Sequence, residues 1–235
     1  MNEKFGIEII EKAKEFFKNE IVLRHIEVSC VKASRLSEYK INPFLSKYLA
    51  NFLTGNNDSL SIARALVLPR IMGSSINTMF GMKIQQMMTT IFDGLGSTTQ
   101  GIDIEFMDQI DNRKKYCQLK AGPNTINHDD VTTVINHFKG IKNIARTNSL
   151  NISLDDLIVG VIYGNKDELS SHYKKIGNSY PVFVGQDFWH RLTGDQDFYY
   201  KLIDAIAEVA IEVDGRKIIE ETVQMLAKEI DKNYK

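Results

Sequence analysis

Residues 101–120 read Gly-Ile-Asp-Ile-Glu-Phe-Met-Asp-Gln-Ile-Asp-Asn-Arg-Lys-Lys-Tyr-Cys-Gln-Leu-Lys. The rhythm over Gly101–Met107 and Lys114–Lys120 is that of two strands, with a period of two or a short apolar run. Paired as a hairpin, they set Asp103 opposite Gln118 and Lys120, which share a face because side chains two apart on a strand point the same way. Working outward, Asp129–Lys142 has Val131, Val134, Ile135 and Phe138 on one helical side, and Asp156–Tyr163 and Tyr180–Val184 read as further strands. The middle of the chain is therefore β-β-α-β followed by β.

The first hundred residues have a helical period instead. Phe5, Ile9, Ala13, Phe16/Phe17 and Ile21 form one stripe, predicting a helix of about five turns. Asn42-Pro43 is an N-cap followed by proline, and Phe44, Tyr48, Leu49 and Phe52 continue a stripe as far as Gly55. Asp58 or Ser59 caps a third helix ending near Pro69, and a fourth runs from Ser75 to about Phe92, where Gly94 and Gly96 break it. Two more helices close the chain, separated by Asp214-Gly215. The expected class is α/β (α+β), a mixed central sheet with an N-terminal helical portion and C-terminal helices.

At 235 residues the chain lies under the roughly 250 at which cores usually divide, so one domain is expected. Its parts are a helical portion over 1–73, a core over 74–200 and closing helices over 201–235. Lys+Arg 29 against Asp+Glu 30 leaves a net charge of −1, which neither advertises nor excludes a nucleic-acid partner. The longest strongly apolar stretch, Leu157–Tyr163, is far short of the roughly 20 residues a membrane span requires, and the opening Met-Asn-Glu-Lys begins no signal peptide. A soluble cytoplasmic protein without membrane contact is expected. Cys30 and Cys117 read as reduced thiols and exclude a Cys-rich zinc cage.

The hairpin brings together an acid, an amide and an amine. Oxygen ligands from Asp103, Gln118 and the backbone carbonyl of Leu119 suit Mg2+, and Lys120 beside them can orient or deprotonate a water. This grouping suits phosphodiester hydrolysis. Asp103 and Lys120 as an ordinary cross-strand ion pair is the competing reading. Glu105 shares the face of Asp103 and is either a second carboxylate for the metal or a solvated strand residue.

In its order of Asp103, Gln118-Leu119-Lys120, a helix and a strand, the sequence resembles the PD-(D/E)XK nuclease superfamily. Gln-Leu-Lys-Ala-Gly-Pro-Asn-Thr-Ile-Asn (118–127), Tyr163-Gly to Ser170-Ser-His-Tyr173, and Gly185-Gln-Asp-Phe-Trp-His-Arg-Leu-Thr-Gly-Asp195 are similar to type II restriction endonucleases, particularly a group cutting GGNCC-like sites. The likeness covers roughly residues 59–205. It implies an αβββαβ core, Mg2+-dependent cleavage of double-stranded DNA, a homodimer and a cognate DNA methyltransferase. It also implies catalytic roles for Asp103, Gln118 and Lys120. Gln118 departs from the pattern, which usually has a carboxylate there, so metal ligation is expected to be weaker.

Asn124, Thr125 and Asn127 follow the second strand and serve either base edges and phosphates or turn and cap chemistry. Lys139, Lys142 and Arg146 make a basic helix edge, either a phosphate track or a solvated face. Asp93 reads as a helix-end loop residue in preference to a metal ligand, and the resemblance makes Gln85 and Gln86, on the helix before the core, candidates for touching water or metal. Trp189, with Phe188 and Leu192, reads as a core anchor rather than a base-stacking platform.

Overall fold

The computed structural model describes residues 3–92 and 95–233. The candidate Asp93 and the side chain of the candidate Gln85 lie outside the described residues. In chain order the helices α1 (Glu3–Phe16), α2 (Val31–Ala33), α3 (Pro43–Thr54), α4 (Ser59–Pro69) and α5 (Ile76–Ile91) precede strands β1 (Ile104–Met107) and β2 (Lys114–Lys120). Then come α6 (His128–Thr147), β3 (Leu157–Val161), α7 (Ser171–Gly177), β4 (Val182–Val184), α8 (Gln186–Thr193), α9 (Phe198–Glu212) and α10 (Gly215–Asn233). The chain is mixed α/β, as expected. It divides into two compact units, residues 1–13 with 84–205 and residues 14–83 with 206–235.

The first unit holds the sheet, in the order β1-β2-β3-β4. β1 and β2 are antiparallel with Ile104 opposite Cys117, while β2–β3 and β3–β4 are parallel. Every residue of β3 is buried, as a strand covered on both faces must be. One face packs on α6, where Val131, Val134, Phe138 and Ile141 meet Leu157, Val159, Val161 and Tyr173. On the other face Gly160 leaves room for Phe188, since a Cβ there would lie 2.4 Å from its ring. Phe188 is edge-on to Phe106, and the buried Trp189 packs between Phe92 and Phe198. Its indole N–H donates to the Ile162 carbonyl at 2.9 Å, so Trp189 is a core anchor.

Charged side chains fasten the β1–β2 turn. Lys115 is 1% exposed and pairs with Asp111 at 2.6 Å and Asp156 at 3.6 Å, while Arg113 forks onto Asp156. Asp108, fully buried, pairs with Arg191 at 2.8 Å. An isolated antiparallel bridge joins Gly96 to Ile104 on the free side of β1.

In the second unit α10 packs on α4, with Val223, Leu226 and Ile230 meeting Ile62, Ala63 and Val67. α1 ends at Phe16, short of the five-turn helix the stripe predicts, and π-helical turns follow over Phe17–Leu23 and Ile26–Cys30. The buried positions there, Phe16, Ile21, His25 and Cys30, advance by four and five residues, the wider pitch of i→i+5 turns. α3 is capped as expected: the Asn42 side chain accepts from Phe44 N and Leu45 N, and Gly55 ends it in the left-handed region. Its apolar stripe, however, faces outward.

Candidate active site

β2 turns Lys115, Cys117 and Leu119 to one face and Tyr116, Gln118 and Lys120 to the other, toward α6. The hairpin register extends one residue beyond β1, since Asp103 N–H donates to the Cys117 carbonyl at 3.0 Å. That sets Asp103 opposite Gln118, the pairing the sequence predicts. At this point β1 has ended, and Leu119 N–H, pointing toward it, is taken by the Asp103 carboxylate at 2.7 Å. In a strand the N–H and C=O of one residue point to the same side, so the Leu119 carbonyl is also directed toward Asp103. No ion pair joins Asp103 to Lys120. The Lys120 ammonium instead stands 4.0 Å from Asp130 at the start of α6.

Gln118 is buried, with two bonds made by its amide nitrogen: one to the Gly101 carbonyl and one of 2.9 Å to His137 Nδ1. A carbonyl only accepts, so the amide nitrogen must face Gly101, and His137 Nδ1 must then be an unprotonated acceptor. No hydrogen bond from the described residues reaches the Gln118 side-chain carbonyl oxygen. Gly101 has φ +79°, and a Cβ there would lie 2.3 Å from the His137 ring. Only glycine permits this close approach.

Glu105 shares the face but is committed elsewhere. Its carboxylate pairs with Lys114 at 2.6 Å and accepts from Ser97 and Thr99. Burial pushes it up, but those hydrogen bonds and the Lys114 charge prevail and hold it below the ordinary glutamate value. Beneath the site, burial and the Asp103 charge push the Cys117 thiol well above its usual range, leaving it neutral.

The segment after β2 divides by role. Thr125 closes a turn, its hydroxyl donating to the Gly122 carbonyl at 2.8 Å and lying 3.3 Å from Tyr173 Oη. Burial pushes that tyrosine up to about 12, so it stays protonated and donates to the Gly122 carbonyl. Asn127 caps α6, accepting from Asp129 N and Asp130 N, while the Asp130 carboxylate accepts from Asn127 N at 2.9 Å. Asn124 is exposed. On α6, Lys142 donates to the Ile152 carbonyl at 2.6 Å, whereas Lys139 and Arg146, two turns apart, are exposed. Gln86, on α5, is exposed as well.

Two residues went unread in the sequence in these roles: Asp130, facing Lys120, and His137, facing Gln118. The signal lies in the helical spacing of Asp130, Val134, His137 and Ile141, which form one face of α6 at steps of four, three and four.

Among the described residues no group of three or more His, Cys, Asp and Glu converges as a metal cage. The Asp103 carboxylate, Gln118 amide oxygen and Leu119 carbonyl are nonetheless all oxygen donors. Few protein ligands and one formal charge fit Mg2+, which keeps much of its water and binds through one or two carboxylates together with substrate phosphate. A cavity of about 690 Å³ lies elsewhere on this unit, between α7, β4 and the start of α8, and includes Lys174 and Asp187 in its lining.

A four-stranded mixed sheet with helices on both faces is consistent with a restriction-endonuclease fold. The family model of type II restriction endonuclease EcoO109I matches residues 9–214, and the chain belongs to this family. No curated protein matches it. Among the described residues no helix is long and apolar enough to cross a membrane.

Proposed function

We propose that the protein is a Mg2+-dependent type II endonuclease that hydrolyses phosphodiester bonds at a specific sequence in double-stranded DNA. The observation that carries this is the Asp103 carboxylate seated on Leu119 N–H, between Gln118 and Lys120 of a family member. Asp103, the Gln118 amide oxygen and the Leu119 carbonyl hold the ion. When bound, it neutralises charge on the attacked phosphate and lowers the pKa of a coordinated water. Lys120 orients or deprotonates the water that attacks phosphorus, and Asp130 restrains the Lys120 amine at 4.0 Å without tying it into a close pair. Glu105, engaged by Lys114, takes no part in holding the ion.

Asn124 faces the bases, Asn127 and Thr125 shape the loop that presents it, and Lys139 and Arg146 track phosphates, with Lys142 bracing their helix. The whole chain, with its helical portions at 1–73 and 201–235 around the core at 74–200, serves this one activity in the cytoplasm. It works as a homodimer, because a palindromic duplex offers two equivalent phosphates to two-fold-related sites. A cognate DNA methyltransferase shields the host's own copies of the site.

Supercoiled plasmid incubated with Mg2+ tests the reading. Discrete fragments from the parent and none from Lys120→Met support it. Cutting confined to branched or damaged DNA would instead favour a structure-specific repair or junction nuclease of the same fold. Binding without cutting would make it a DNA-binding protein. A Lys120→Met variant that cuts at the parent rate would refute the catalytic assignment.

A further inference from the structure

α3 is built inside out. Toward its own unit it buries only Ser46 and Ala50, small residues one turn apart that let α4 approach closely. Outward it presents Phe44 (89% exposed), Tyr48 (61%) and Phe52 (79%), flanked by Leu45, Leu49 and Leu53, with no charge among the six. Soluble proteins seldom leave contiguous apolar patches of more than a few hundred Å² open to water, and larger ones mark interaction sites. With about 200 Å² per aromatic side chain, the six together expose roughly 650 Å².

The geometry points to a second copy of this chain as the occupant, packed on α3 about a two-fold axis with the two helices antiparallel. Phe44, Tyr48 and Phe52 form one i±4 ridge, and Leu45, Leu49 and Leu53 form the next. The apolar positions are symmetric about the midpoint between Tyr48 and Leu49, so a reversed helix presents its leucines where the first presents its rings. Two-fold packing sets Phe44 against Leu53, Leu45 against Phe52 and Tyr48 against Leu49, each ring meeting a leucine of the other copy. Interdigitating i±4 ridges is the commonest way helices pack, and an isologous patch of this kind closes a dimer without propagating into a fibre. Two copies bury about 1,300 Å² here, within the range of stable interfaces. The inference rests on the homodimer reading for its choice of partner, but its test reads oligomeric state without reference to cleavage.

Sedimentation equilibrium of the full chain over about 0.5–50 µM provides that test, with circular dichroism to confirm helix content. The parent sediments as a dimer. Phe44→Glu and Leu53→Lys, each alone, weaken dimerisation by at least 100-fold. Mixed in equal amounts, the two variants form a heterodimer, because one Phe44–Leu53 contact stays apolar while the other becomes an ion pair. Restoration by mixing is specific to antiparallel two-fold pairing. A parent that stays monomeric at 50 µM overturns the inference. So do single variants that dimerise like the parent, an outcome that leaves a homodimer through another face standing. Monomeric single variants that do not associate on mixing overturn the antiparallel pairing.

Discussion

Gln118→Glu adds a second carboxylate to the proposed Mg2+ site, and on charge alone it should strengthen metal binding. The structure argues that it first destabilises the metal-free protein. The Gln118 amide nitrogen donates to the Gly101 carbonyl and to His137 Nδ1, and a carboxylate can do neither. An acceptor left facing an acceptor in a buried site costs roughly 1–3 kcal/mol. Two such conflicts make the expected loss roughly 2–6 kcal/mol. At roughly 2–4 °C per kcal/mol for a chain of this size, that lowers Tm by about 4–24 °C. Thermal unfolding in EDTA at pH 7.5, repeated with Mg2+, measures the loss, and the ion should recover part of it by drawing the carboxylate toward Asp103. A variant as stable as the parent in EDTA at pH 7.5 would refute the hydrogen-bond assignment at Gln118.

Three further outcomes follow from the geometry. Asp103→Asn keeps the shape of the site but removes its only proposed anionic ligand, so calorimetric Mg2+ or Ca2+ binding should fall together with cleavage, whereas Glu105→Ala should leave metal binding near the parent value; the reverse ranking would move the site to Glu105. Asn124→Ala should weaken specific DNA binding by about 1–3 kcal/mol without altering Tm, while Thr125→Ala should lower Tm by loosening the Gly122–Tyr173 turn; an Asn124 loss of equal size on unrelated DNA would assign it to phosphate. Asp156→Ala removes a shared partner of Arg113 and the buried Lys115 and should cost about 2–4 kcal/mol, Asp111 still holding the lysine. Burial pushes the Asp156 carboxyl up, but the Arg113 hydrogen bonds prevail and hold it below the ordinary value. Its contribution is therefore present above about pH 4 and lost as pH falls further, and acid unfolding monitored by tryptophan fluorescence should show a shallower limb in the variant.

The hairpin and the helix after it were legible because their signals are local. Alternation fixed which face of β2 carries Gln118 and Lys120, and the apolar spacing of Val131, Val134 and Phe138 fixed which side of α6 meets the sheet. What remained illegible depends on partners distant in sequence. Lys115 has the same alternation as Cys117 and Leu119, yet it is buried with Asp111 in the turn and Asp156, forty-one residues later and just before β3, both facing its ammonium. The direction of the Gln118 amide likewise depends on the carbonyl of Gly101 and a ring on α6. The turns over 17–30 were missed because the helical template has one period, whereas this segment packs at a longer one.

α3 illustrates the same limit from the opposite side. Its capping residues, its length and its apolar stripe were all readable from Asn42 to Gly55, and all are present. Periodicity states that a stripe must be covered, without stating by what. The burial of Ser46 and Ala50 settles which face α4 occupies, and that face is the one without the stripe. The sequence therefore builds the helix and its stripe without naming the cover, and a second copy of the chain is the occupant proposed for it.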